Sequence, residues 1–197
     1  AMRVAIGAVA RRLLGEFGIT IGSYVTQIGP IRADLTEMPY AERFTRAVEN
    51  DVRCPDAARA DEMREYIRAT IRRRDTVGGV FEVAALGVPA GLGSHVHWDR
   101  KLDGRLAQAM MSVPAVKGVE IGPAFENAAR YGTEVHDQIY LEEGIVTRRT
   151  NRAGGLEGGI TTGQPIVVRA ALKPIATTLN PLRSVDLISG EETETNY

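Results

Sequence analysis

Between Arg149 and Gln164 the chain all but gives up side-chain packing. The stretch Arg149-Thr-Asn-Arg-Ala-Gly-Gly-Leu-Glu-Gly-Gly-Ile-Thr-Thr-Gly-Gln164 holds five glycines (Gly154, Gly155, Gly158, Gly159 and Gly163) and almost no large apolar side chains. Glycine accepts positive φ and lets a ligand approach the main chain, at an entropic cost when the segment orders. Successive N–H groups in such turns can form a concave nest for an anion. Two basic residues, Arg149 and Arg152, accompany the glycines, and a strand-like run ending at Lys173 follows. The combination reads as a site loop rather than a linker.

The rest of the chain can build a fold around such a loop. At 197 residues it is long enough for one domain with a substantial core. Its 44% hydrophobic and 25% charged residues fit a soluble globular protein. A formal net charge of −1 offers no overall attraction to nucleic acid or an anionic membrane, so anion binding must come from a local cluster of Arg and Lys. The single cysteine, Cys54, fits a reducing compartment. No apolar run approaches the ~20 residues of a membrane span. A cytoplasmic protein is the expectation.

Periodicity gives the elements. Met2, Ile6, Val9, Leu13 and Phe17 share one face of an opening helix that Gly18 ends. Ile19 to Ile31 alternates as a strand, and Asp34 to Val48 reads as a short helix. A longer helix covers Pro55 to Arg74, with Ala60, Met63, Ile67 and Ile71 inward and its cations at the C-terminal end, where the helix dipole favours them. Val80 to Val88 is a strand. Asp99 is the expected N-cap of a helix burying Leu102, Leu106, Ala109, Met110 and Val113. A strand at Val116 to Ile121, a short helix at Ala124 to Tyr131, a hairpin at Gln138 to Thr147 and a strand at Ile166 to Leu172 follow. The tail from Ser189 to Tyr197 reads as loose. Irregular alternation with hairpin-length spacings favours an α+β fold with mixed or antiparallel sheets.

Among candidate chemical groups, His95 and His97 would share a face of an extended segment, as a metal site needs. With Trp98 and Asp99 adjacent, hydrogen bonding at a loop–helix junction is the preferred reading. Cys54 lacks a nearby base and reads as structural. Arg72 to Arg74 reads as a solvated helix end. In the strand after the glycine loop, Val167, Arg169, Ala171 and Lys173 share one face. Two cations there need an anionic partner, either a protein carboxylate or a ligand phosphate, and the neighbouring loop favours the ligand. The loop is neither a Walker A sequence nor a dinucleotide fingerprint. The residues alone reach an anionic small-molecule or cofactor site.

Several blocks, in order, resemble chorismate synthase. They are Gly93-Ser-His-Val-His-Trp-Asp-Arg-Lys-Leu-Asp-Gly-Arg-Leu-Ala-Gln-Ala109, Lys117-Gly-Val-Glu-Ile-Gly122, Thr150-Asn-Arg-Ala-Gly-Gly-Leu-Glu-Gly-Gly159, Gly163-Gln-Pro-Ile-Val-Val-Arg169, Lys173-Pro-Ile and Pro181-Leu-Arg-Ser-Val-Asp186. The resemblance implies a β-α-β sandwich with flanking helices, a homotetramer, and conversion of 5-enolpyruvylshikimate 3-phosphate to chorismate with reduced FMN. Whether NADPH reduces that flavin on the same protein stays open. The resemblance assigns flavin contacts to Gln108, Ala109, Gly158, Lys173, Pro174, Ile175, Ala176 and Thr177, and no metal. The family's catalytic histidine motifs, Gly-x-Ser-His-Gly and Pro-Gly-His-Ala-Asp, are not in these residues, nor is its Arg-Ser-Asp motif. The expectation is therefore one partial domain, 1–197, truncated at both ends, with no catalytic residue of its own and no activity alone. The alternative is a non-catalytic flavin- or phosphate-binding or oligomerisation module of the same fold.

Overall fold

A computed structural model describes residues 2–196. Ala1 and Tyr197, the last residue of the expected loose tail, lie outside them. The centre is a five-stranded sheet built from β1 (Thr20–Ile28), β2 (Ile31–Arg32), β3 (Gly79–Leu86), β4 (Val116–Ile121) and β9 (Ile166–Leu172), in the order β2-β1-β3-β9-β4. Every pairing is antiparallel, so of the two sheet types expected it is the antiparallel one that forms.

Alternation along the strands gives the sheet two faces. On one, Val168 and Ile166 of β9, Ile21 of β1 and Val119 and Ile121 of β4 pack with Leu102, Leu106 and Met110 of α4 (Leu102–Met111). On the other, Tyr24 packs with Leu35, Ala47 and Phe44, the last two from α2 (Tyr40–Ala47). Beside it, Cys54 packs with Ala60 and Met63 of α3 (Ala57–Arg72). The buried Cys54 thiol is pushed up chiefly by desolvation, which fits a structural role.

Several boundaries differ from expectation for local reasons. The helix expected from Asp34 starts only at Tyr40, because Asp34 accepts hydrogen bonds from the amide and hydroxyl of Thr36 in a turn and Pro39 stands at the N-cap. Asp56, not Pro55, opens α3, its carboxylate accepting from Arg59 N. Of that helix's expected inward face, Ala60 and Met63 are buried, but Ile71 is exposed. Asp99 does not cap α4. It accepts from His97 Nδ1 at 2.8 Å within a short 3-10 turn (Trp98–Arg100), and Lys101 takes the N-cap position. Ala109, expected inside, is exposed.

The opening helix α1 (Met2–Gly15) forms and stops before Gly18 at φ 74°. Its expected core face is outside: Met2, Ile6, Val9, Leu13 and Phe17 are each at least 60% exposed. It touches the core through Leu14 instead.

The expected short helix at Ala124 to Tyr131 ends early, as α5 (Ala124–Asn127), and a second short helix, α6 (Gly132–Val135), follows beyond the expected range. The expected hairpin is β5 (Ile139–Glu142) with β6 (Ile145–Arg148), turning through Glu143 and Gly144, both at positive φ, which matches the twist of the strands. The tail is not wholly loose, since β10 (Arg183–Val185) pairs with β11 (Glu192–Glu194). Among the described residues no helix is long and apolar enough to cross a membrane.

Candidate functional site at the glycine loop and helix α4

The glycine loop is fixed at its base. Gly154 and Gly155 have φ of 63° and 80°. A Cβ on Gly154 would lie 2.3 Å from Gly122 N, and one on Gly155 2.4 Å from Pro165 O, so only glycine fits these crossings. Beyond the base the chain makes a two-residue hairpin, β7 (Leu156–Glu157) with β8 (Ile160–Thr161), turning at Gly158 and Gly159. Gly159 O accepts from Leu102 N at 3.0 Å, which ties the hairpin to the first turn of α4. Thr161 Oγ1 donates to Pro89 O at 2.6 Å and accepts from Leu92 N at 2.9 Å, which ties it to the loop before α4.

Gly158 differs from its neighbours. It is exposed at φ 59°, and a Cβ there would meet nothing within 4 Å. Its amide donates to no acceptor among the described residues. This backbone is open to a ligand, whereas the base of the loop is closed.

The other end of α4 gathers a second group. Gln108 and Ala109 are exposed on its last turns. Their carbonyls accept from Ser112, Gln108 O from the amide at 3.0 Å and Ala109 O from the hydroxyl at 2.6 Å. Ser112 O in turn accepts from Arg3 Nη1 at 2.6 Å, so the start of α1 lies against this turn. Three residues on, Ala115 at φ 68° presents its carbonyl to Lys173 N at 2.9 Å. Lys173 to Thr177 is exposed, and no described carboxylate pairs with the Lys173 ammonium. The hydroxyl of Thr76 donates to Ile175 O at 2.7 Å and steadies this segment.

Arg169 and Lys173 were expected to look for a ligand together, and here the structure corrects the expectation for Arg169. Its Nε and Nη2 donate to Glu82 Oε1 at 2.9 and 2.7 Å, and its Nη1 to Glu120 Oε1 at 2.8 Å. Tyr24, Glu82, Arg169 and Glu120 stand at one level across β1, β3, β9 and β4. Tyr24 donates to Glu82 Oε2 at 2.5 Å, and Arg43 of α2 reaches the same hydroxyl at 3.0 Å. Burial, followed by the Glu82 charge, raises the Tyr24 hydroxyl well above its usual range. Desolvation alone would lower Arg169, but Glu82 and then Glu120 outweigh it and raise it. The partners of Arg169 are thus protein carboxylates. A cavity of about 410 Å³ lies over this ladder, lined in part by Arg32, Asp34 and Arg43.

The comparisons with known proteins agree on one family. A sequence model described as chorismate synthase matches residues 1–197. The chain belongs to the chorismate synthase family. It is 53% identical to a chorismate synthase of Desulforudis audaxviator over 96% of this chain and 49% of that protein. It is 54% identical to one of Brevibacillus brevis, again over 96% of this chain and 49% of the relative. A crystal structure of chorismate synthase superposes with a TM-score of 0.83 at 49% identity, covering 87% of this chain and 54% of that one. The chain therefore spans about half the length of the curated relatives it matches.

Against the flavin contacts that chorismate synthase suggests, the structure brings together one subset and sets one residue apart. The backbones of Gln108, Ala109 and Lys173 are all bonded into the turn after α4, the first two through Ser112 and Lys173 through Ala115, with Pro174, Ile175, Ala176 and Thr177 running on from it. Gly158 is at the opposite end of the ten-residue helix, about 15 Å along its axis. A flavin mononucleotide fits such a donor set: a free cation and an amide side chain at one end, an unengaged backbone amide at the other. The sequence reading missed Glu82, Glu120 and Asp137. A charged residue at an inward position of a strand was the available signal for the first two.

Proposed function

We propose that the chain is part of a chorismate synthase whose whole molecule eliminates phosphate from 5-enolpyruvylshikimate 3-phosphate to give chorismate, using reduced FMN with no net redox change. One observation carries most weight: in a chain matched to the family end to end, the backbones of Gln108, Ala109 and Lys173 are bonded into the same turn after α4. In this reading Lys173 offers a positive charge to the anionic cofactor, Gln108 a side-chain amide, and Gly158 an open backbone N–H. When bound, the reduced flavin supplies electron density as phosphate leaves and aids removal of the C6 proton. The chain's own part is to bind and orient. The family's acid–base motifs are not in these 197 residues, so the chain alone binds flavin without turnover. A cytoplasmic homotetramer, with NADPH as flavin reductant, completes the proposal.

Titration of the chain with FMN under reducing conditions tests it. Lys173→Ala weakens binding about tenfold, the loss of one charge-assisted contact. Unchanged affinity in that variant would remove Lys173 from the site. FMN binding by a native protein of this length that never turns over would instead favour the non-catalytic module.

A further inference from the structure

The glycine loop carries its own anion. Asp137 is buried at 8% exposure beneath the loop, between α6 and β5. Its Oδ1 accepts from Thr150 Oγ1 at 2.5 Å and from Arg152 N at 2.9 Å, and its Oδ2 accepts from Ala153 N at 2.9 Å. Two consecutive amides converging on one carboxylate is the arrangement by which a backbone nest holds phosphate. The next amides are also taken: Gly154 N donates to Asn151 O at 3.1 Å, Gly155 N to Asn151 Oδ1 at 2.8 Å, and Leu156 N to Ala153 O at 3.4 Å. From Arg152 to Leu156 no backbone amide is left for a ligand. The free amides begin at the tip, Gly158.

We propose that Asp137 is a positioning residue that fills the loop's anion nest permanently, so that the loop meets the cofactor only through the Gly158–Gly159 tip and at a part of the cofactor other than its phosphate. The second half rests on the flavin reading of Gly158 given above; the first half does not. A phosphate entering the nest would have to displace a buried carboxylate and leave it without donors, which is strongly unfavourable. The phosphate is thereby directed to the far end of α4, where Lys173 stands without a carboxylate partner among the described residues.

Three measurements on the whole chain test this. In the ligand-free protein, millimolar inorganic phosphate leaves the amide resonances of Arg152 and Ala153 unmoved, and both amides resist hydrogen exchange. A phosphate-induced shift there, or free exchange, overturns the proposal without any variant. In Asp137→Ala the nest is empty, the melting temperature falls, and sodium formate restores part of the loss beyond sodium chloride at equal ionic strength. Equal effects of the two salts overturn it, because a merely structural aspartate would show no preference for a small carboxylate. Finally, Asp137→Asn weakens FMN and riboflavin by the same factor, about tenfold, since riboflavin lacks only the phosphate. A loss confined to FMN means that Asp137 serves the phosphate end of the cofactor and sinks the proposal. If the unaltered chain binds neither flavin, the flavin reading of Gly158 fails, while the phosphate and formate results still decide the role of Asp137.

Discussion

Asp137 and Arg169 each have a charge that the surrounding protein satisfies, and each makes a measurable prediction. Arg169 neutralises two carboxylates that are almost fully buried, their side chains 6% and 10% exposed. Arg169→Met removes the cation they share, leaving Glu82 with Tyr24 and the more distant Arg43 and Glu120 with the Phe125 amide, and destabilises the chain by about 3 kcal/mol, the low end for breaking a buried pair because the guanidinium itself is partly exposed. Urea unfolding measures it, and a loss below about 1 kcal/mol would mean water replaces the guanidinium. For Asp137, desolvation pushes the carboxyl up, but the Thr150 hydroxyl, the Ala153 and Arg152 amides and the Arg148 charge together outweigh it and hold it below its ordinary 3.8. Its stabilising contribution is therefore complete above that value and is lost as pH falls through the lower folded-state value. The stability of Asp137→Asn, followed by circular dichroism in fixed urea, falls less steeply below about pH 4 than that of the parent chain. Identical slopes would remove Asp137 as a contributor to acid unfolding.

At the scale of elements, what could be read from the sequence was what local chemistry decides. The α3 helix, the Glu143–Gly144 hairpin and β9 followed from periodicity and turn residues, because neighbours in sequence fix them. Asp99 failed as a cap because His97, two residues away, offered its carboxylate a competing partner. The start of α2 was misplaced because an aspartate turn and a proline occupied the residues before it. The glycine loop was legible as a site loop, but its filled nest was not: Asp137 is 15 and 16 residues from the amides it accepts. Contacts over such distances leave no period. A similar hidden contact joins β1 to α2, where the Phe44 ring lies over Gly22. A Cβ at Gly22 would fall 2.2 Å from two of its ring atoms. Gly22→Ala is therefore expected to lift α2 and cost about 1–3 kcal/mol as overpacking, read as a lower urea midpoint at unchanged slope. An unchanged midpoint would show that Phe44 turns aside freely.

For the molecule as a whole, the face of α1 is the clearest departure from a finished surface. Its apolar residues point outward, and the helix rests on the core through Leu14 alone of its large side chains. Replacing Ile6, Val9 and Leu13 together with glutamine is expected to change the melting temperature little, since each is already in water, and to reduce light scattering of concentrated solutions. A large fall in melting temperature would show that this face is covered in solution. The charge ladder has a further consequence, for assembly during synthesis. Its hydrogen-bonded pairs are 58, 87 and 49 residues apart in sequence. The strand between β3 and β4 is β9, which leaves the ribosome after both. Until it does, Glu82 and Glu120 are on two separate strand edges with no cation between them, and a slip of β9 by one residue would turn Arg169 to the opposite face. The sheet thus stays open until β9 emerges and closes in a single register when Arg169 arrives.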